Sequence, residues 1–124
     1  MIKVEQGKEK EIFIDFANKL IELLSQELYE DIIAILDDSR LSEEDILLAL
    51  KYLNEELPVL KIDNPFKVRC EKCRIEVFKY NDNSGYALDY DLFTNGEVND
   101  LTLQLEFLQK GMEYAVILDD IHSL

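Results

Sequence analysis

One change of rhythm limits what this chain can fold into. Up to residue 53 the apolar side chains recur every three or four positions; beyond Pro65 they alternate every second position, and three short turn-forming segments punctuate the alternation. A chain written this way forms helices first and an antiparallel sheet second, because hairpins need only short connectors whereas parallel strands need long crossovers. With four Gly and two Pro in 124 residues, no stretch reads as a linker, and a single domain spanning 1–124 is expected.

Phe13, Phe16, Ala17, Leu20, Leu23 and Leu24 predict an amphipathic helix over about 8–25. A second stripe runs through Leu28, Tyr29, Ile32, Ile33 and Leu36. Periodicity alone leaves open whether it continues the first helix, and a break near Ser25 is the expectation. Ser42-Glu-Glu-Asp45 reads as an N-cap followed by acids at the positive end of a third helix. Ile46, Ala49, Leu50 and Leu53 supply that helix's stripe and Leu57-Pro58 its end, so helices occupy about 8–56. Strands are predicted at Lys67–Tyr80, Tyr86–Phe93, Val98–Gln109 and Glu113–His122. The expected fold is α+β, with two or three N-terminal helices packed on one face of a curved four-stranded antiparallel meander.

Asn95-Gly96 is a strong two-residue hairpin signal and sets a register. Counting from it pairs Thr94 with Glu97, Leu92 with Asn99, Tyr90 with Leu101, Leu88 with Leu103 and Tyr86 with Leu105. A turn at Lys110-Gly111 then pairs Phe107 with Tyr114, Leu105 with Val116, Leu103 with Leu118 and Leu101 with Asp120. The inner face becomes almost wholly apolar: Tyr86, Leu88, Tyr90 and Leu92; Leu101, Leu103, Leu105 and Phe107; Tyr114, Val116 and Leu118. Continued in the same parity, Asp120 and His122 join Tyr90 and Asn99 as a polar cluster at one end of that face. An Asp beside a His in a partly apolar pocket could orient a ligand or exchange a proton.

The opposite face carries Asp89, Asp91, Glu106 and Asp119, with Asp100 near the turn and Phe93, Ile117 and Ile121 among them. Carboxylates interspersed with apolar anchors suit a basic protein partner. The whole chain has 27 Asp and Glu against 13 Lys and Arg, a formal net charge of −14. Such acidity repels nucleic acid and anionic membrane surfaces as general partners. It is also uneven: residues 61–80 hold six bases against three acids, while 81–124 hold one base against nine acids. A basic first strand beside an acidic second one accounts for this, with Arg74 opposite Asp91.

Cys70 and Cys73 are the only cysteines and lie on a predicted strand, where residues three apart face opposite ways. They are expected to be structural, with no metal and no cofactor bound. No calcium-loop pattern and no catalytic motif is present, so a non-enzymatic protein is expected. The first residues carry charge without an apolar signal segment, and no apolar run approaches the ~20 residues of a bilayer span. A cytoplasmic location follows as the expectation.

The segments Tyr90-Asp-Leu-Phe-Thr-Asn-Gly-Glu97, Asp100-Leu-Thr-Leu-Gln-Leu-Glu-Phe107 and Tyr114-Ala-Val-Ile-Leu-Asp-Asp-Ile-His122 follow the helices in order. Together they resemble the nuclear-transport-factor-2-like (cystatin-related) α+β cone as found in small bacterial proteins. The resemblance implies helices covering the hollow of a curved sheet. It also implies one of two uses: an inward Asp with Tyr or His partners in a lyase or isomerase pocket, or a pocket-less interaction module such as an immunity protein beside a secreted toxin. The charge favours the second: an acidic binding module that neutralises a basic toxin or nuclease domain through Asp89, Asp91, Asp100, Asp119, Glu106 and Phe93. The alternative is a small-molecule site at Tyr90, Asn99, Asp120 and His122. A homodimer through the sheet is a third outcome.

Overall fold

The computed structural model describes residues 1–51 and 58–123. Three helices, α1 (Glu9–Ser25), α2 (Tyr29–Ile35) and α3 (Glu43–Leu50), precede most of the sheet. The break between α1 and α2 falls where expected. Leu28 N–H bonds Leu23 O and Glu27 N–H bonds Leu24 O, a Schellman closure with Glu27 in the left-handed region at φ 58°. Ser42 caps α3 through a reciprocal box: its hydroxyl accepts from Asp45 N–H at 3.1 Å, and Asp45 Oδ2 accepts from Ser42 N–H at 2.9 Å. The predicted continuation of α3 through Leu53 to Leu57 lies outside the described residues.

The sheet has six strands rather than four: β1 (Ile2–Lys3), β2 (Asp38–Ser39), β3 (Ile75–Lys79), β4 (Gly85–Thr94), β5 (Glu97–Lys110) and β6 (Glu113–Ser123). The last four form the expected antiparallel meander. β1 and β2 both attach to the outer side of β6, β1 antiparallel and β2 parallel, so the spatial order is β1-β6-β5-β4-β3 with β2 beside β1. Two-residue strands carry no readable alternation, which is why the sequence pattern missed them. β3 begins at Ile75 and not at Lys67, because residues 58–74 run as a loop across the end of the sheet. Asp63 fastens this loop to the β4–β5 hairpin: its N–H bonds Phe93 O at 2.9 Å and its Oδ2 accepts Gly96 N–H at 2.7 Å.

The hairpin itself is as expected, with Asn95 at φ 54° and Gly96 at φ 78°, the pair of positive values a type I′ turn requires. Thr94 pairs with Glu97. The β5–β6 turn falls at Gly111-Met112 and not at Lys110-Gly111, so Phe107 pairs with Val116 rather than Tyr114, and two irregularities change the register further. On β5 two extra residues around Asp100, itself at φ 68°, move the pairing along, so Leu88 faces Leu105 and Tyr90 faces Leu103. A shift of two preserves side-chain parity, and the predicted inner face survives. On β6 a single extra residue at Asp119 separates the pairs Leu105/Leu118 and Gln104/Asp120. A shift of one reverses parity. Ile121 therefore turns inward opposite Leu103, whereas Asp120 and His122 move to the other face, opposite Gln104 and Thr102.

All the predicted inner residues are buried apart from Tyr86, which is half-buried. They join Phe13, Ala17, Leu20, Ile21 and Leu24 of α1, Ile32 of α2, and Ile46 and Leu50 of α3 in one apolar core. The Phe13 ring stacks on Phe107 with centroids 4.0 Å apart, and Phe16 meets Phe107 edge-on. The reversal at Asp119 gives an expected result. Ile121→Ala lowers the unfolding free energy by about 2–4 kcal/mol through the cavity it leaves, while Asp120→Ala changes it by roughly 0.5 kcal/mol or less, as an accessible position does. Urea denaturation of the two variants checks this; equal losses would restore the uninterrupted register.

Candidate functional site

The face of the sheet away from the helices is built of rows that cross the strands. Glu76, Asp89, Gln104 and Asp120 form one row, and Arg74, with its partner Asp91, then Thr102 and His122, form the next. Phe78, Ala87, Glu106, Ile117 and Asp38 form a third. Strand alternation alone puts these side chains together. The face thus collects carboxylates from five strands, and two guanidinium groups lie among them.

Arg74 sits opposite Asp91 as the sequence predicts, donating its backbone N–H to Asp91 Oδ2 at 2.9 Å. Its guanidinium stands 3.5 Å from Glu76, 3.6 Å from Asp89 and 3.7 Å from Asp91. Thr102 Oγ1 donates to Asp91 and Gln104 Nε2 to Asp89, both at 3.2 Å. Arg40 follows β2 and reaches over β6: Nη2 donates to Glu106 Oε1 at 2.7 Å and Nη1 to Asp119. The other Glu106 oxygen accepts the Tyr80 hydroxyl at 2.6 Å. Burial, that hydrogen bond and the Glu106 and Asp119 charges together push the Tyr80 phenol well above its usual range, with Arg40 opposing them. Tyr80 therefore stays a donor at any physiological pH.

Arg40 is the residue the sequence reading missed. Its signal was visible: it is the only base among the eight acids from Glu27 to Asp45. β2 positions it, and Asp37 anchors β2. One Asp37 oxygen takes the Met1 ammonium at 2.8 Å and the other accepts Val116 N–H at 2.7 Å. Partial burial raises the Asp37 pKa, but the two hydrogen bonds and the ammonium charge outweigh it and hold the carboxyl below its ordinary value.

The predicted partner-facing residues divide. Asp89, Asp91, Glu106 and Asp119 do share one face, though each already has an arginine partner. Asp100 is exposed beside the hairpin. Phe93 is not an exposed anchor: it is buried, because the loop bonded to its carbonyl through Asp63 covers it. The predicted inner cluster does not assemble. Tyr90 points into the core side and donates to Asn18 of α1 at 2.6 Å, and Asn99 bonds Thr94 beside the turn. Asp120 and His122 lie on the opposite face, with Asp120 Oδ2 at 3.5 Å from His122 Nδ1. The parity reversal at Asp119 is the cause.

The helices add a second acidic surface. Glu27 precedes α2, Glu30 and Asp31 lie in its first turn and Glu43, Glu44 and Asp45 open α3, while Leu28, Ile35 and Leu48 stand exposed among them. A groove of about 440 Å³ runs between the end of α2 and the start of α3, floored by Ile33, Leu36 and Leu41 and rimmed by Asp38 and Glu43. Among the described residues, no group of three or more His, Cys, Asp or Glu side chains is arranged to hold a metal ion. Cys70 and Cys73 are joined in a disulfide across the turn at residues 71–72, a geometry the predicted strand would have forbidden. No helix among the described residues is long and apolar enough to cross a membrane.

Fold and face together define a small α+β protein that covers one side of a curled sheet with helices and presents the other as a charged lattice. Residues 21–124 match the family described as Domain of unknown function (DUF7668), and the chain belongs to that family. No curated protein and no solved structure matches it.

Proposed function

We propose that the protein is a non-enzymatic module that binds a basic protein, of the immunity type that neutralises an antibacterial toxin or nuclease domain. The observation that carries this reading is the carboxylate lattice. Six acids (Glu76, Asp89, Asp91, Glu106, Asp119 and Asp120) stand on one rigid sheet face against two arginines, Arg40 and Arg74. The excess negative charge is held in fixed positions rather than on mobile side chains, so a partner's Arg and Lys meet oriented acceptors at little ordering cost. The resemblance to the nuclear-transport-factor-2-like cone supports the reading, since interaction modules of that type include immunity proteins. The acidic α2–α3 groove supports it too, by supplying apolar footholds next to charge. A cytoplasmic location goes with this reading.

The test reverses charge without breaking the arginine pairs, giving up only the 3.5 Å approach of Asp120 to His122. Asp100→Lys with Asp120→Lys leaves every contact of Arg40 and Arg74 in place. Against a basic partner encoded beside this chain, association should slow by roughly tenfold at low salt and converge on the parent rate at high salt. Stopped-flow association at two ionic strengths reads this directly. An unchanged rate at low salt would remove the sheet face as the contact, and an undisturbed toxin activity in the presence of excess protein would remove the function.

A further inference from the structure

The loop before β3 makes a concavity of a different character from the rest of the molecule. Its volume is about 360 Å³, within the range of small-molecule sites, and its floor is Ile75, Tyr90 and Phe93. Phe66 stands over it 59% exposed, an aromatic ring left in water at the edge of an apolar surface. Lys67 and Arg69 rim it, the Cys70–Cys73 disulfide forms one wall, and no carboxylate lines it.

Arg40 and Arg74 between them engage five carboxylates, whereas Lys67 and Arg69, without a carboxylate partner among the described residues, both line one hollow whose wall holds no acid. In a protein of net charge −14, two bases at one hollow without an acid in its lining create a local field opposite to that of the whole. An anion with an apolar body is the ligand that satisfies both features. Arg69 supplies a planar fork suited to a carboxylate, and Lys67 a point charge beside it. The disulfide closes the turn that follows Arg69, which reduces the ordering cost of binding.

We propose that this hollow binds an amphipathic monocarboxylate, its carboxylate held by Arg69 and Lys67 and its apolar body laid against Phe66, Ile75 and Phe93. The site is independent of the acidic face, and either can exist without the other.

Octanoate is the probe, with acetate (charge without a body) and octylamine (body with the wrong charge) beside it, followed in ¹H–¹⁵N spectra of the whole chain. Octanoate should shift the amides of residues 66–75 and Phe93 saturably, while acetate and octylamine leave them in place. The double variant Lys67→Ala, Arg69→Ala, both at exposed positions, should weaken octanoate roughly tenfold with the remaining spectrum unchanged, as loss of charge-assisted bonds requires. Phe66→Ala should weaken it as well. Equal response to octylamine, shifts spread over the whole molecule, or undiminished binding by the double variant would overturn the proposal.

Discussion

Gly85→Ala is expected to cost roughly 3 kcal/mol, the upper end of what ordinary single substitutions do. The reason is local and backbone-on-backbone. A Cβ built at Gly85 falls 2.1 Å from the carbonyl oxygen of Phe107 and 3.0 Å from Leu108 Cα. Neither neighbour can rotate away, because both belong to the strand that Gly85 pairs with. A glycine inside a strand often marks such a close approach of another backbone. To admit the methyl group, β4 must part from β5 at this end, breaking the bond that Ser84 O accepts from Gln109 N–H, 2.9 Å. Gly111→Ala is the comparison. Gly111 has open space around it and only a positive φ of 66° to lose, so its cost should be about 1 kcal/mol. Denaturant midpoints of the two variants measure the difference; equal costs would show that β4 and β5 relax freely at Gly85.

A larger loss, about 3–5 kcal/mol, is expected for Phe107→Ala. Phe107 is fully buried, stacked on Phe13 and flanked edge-on by Phe16, so its removal takes the partner from two rings of α1 at once. A domain of this size holds only about 5–15 kcal/mol in total, so the variant should melt roughly 10–20 °C lower. Phe78→Ala makes the contrast: at 44% exposure on the outer face of β3, it should cost roughly 0.5 kcal/mol or less. Thermal melting followed by far-ultraviolet circular dichroism distinguishes them. Because Glu106 and Leu108 flank Phe107 on the other face, the same variant should also loosen the carboxylate lattice. That would appear as faster amide exchange at Glu106 than in the Phe78 variant.

What the residues revealed in advance depended on whether each local feature had a characteristic side chain. The α3 cap was readable because Ser42 and Asp45 are the residues a capping box uses, and the β4–β5 turn because Asn95-Gly96 tolerates two positive φ values. The inner face was readable because alternation survives a shift of two. Three features used residues with no such signature. Glu27 ends α1 in the left-handed region where Gly is the usual choice, Asp100 does the same within β5, and Asp119 is an ordinary strand residue at the extra position in β6. The last was the costly omission, since one unsignalled residue carried Asp120 and His122 from the predicted pocket to the opposite face. Arg40 and the Phe93 cover depend on long-range placement of β2 and of the Asp63 loop, which no local pattern encodes.

The two margins of the sheet are unequal, and this governs how copies can assemble. Along Glu113–Leu118 the β6 margin is occupied by β1 and β2, and the extra residue at Asp119 interrupts its ladder just beyond. The β3 margin ends the path of paired strands at the other side. β3 offers a neighbouring copy five residues of edge, whereas β1 and β2 offer two each. Two copies joined strand to strand would therefore meet through β3 about a two-fold axis, and the short edges on the opposite side would disfavour further extension.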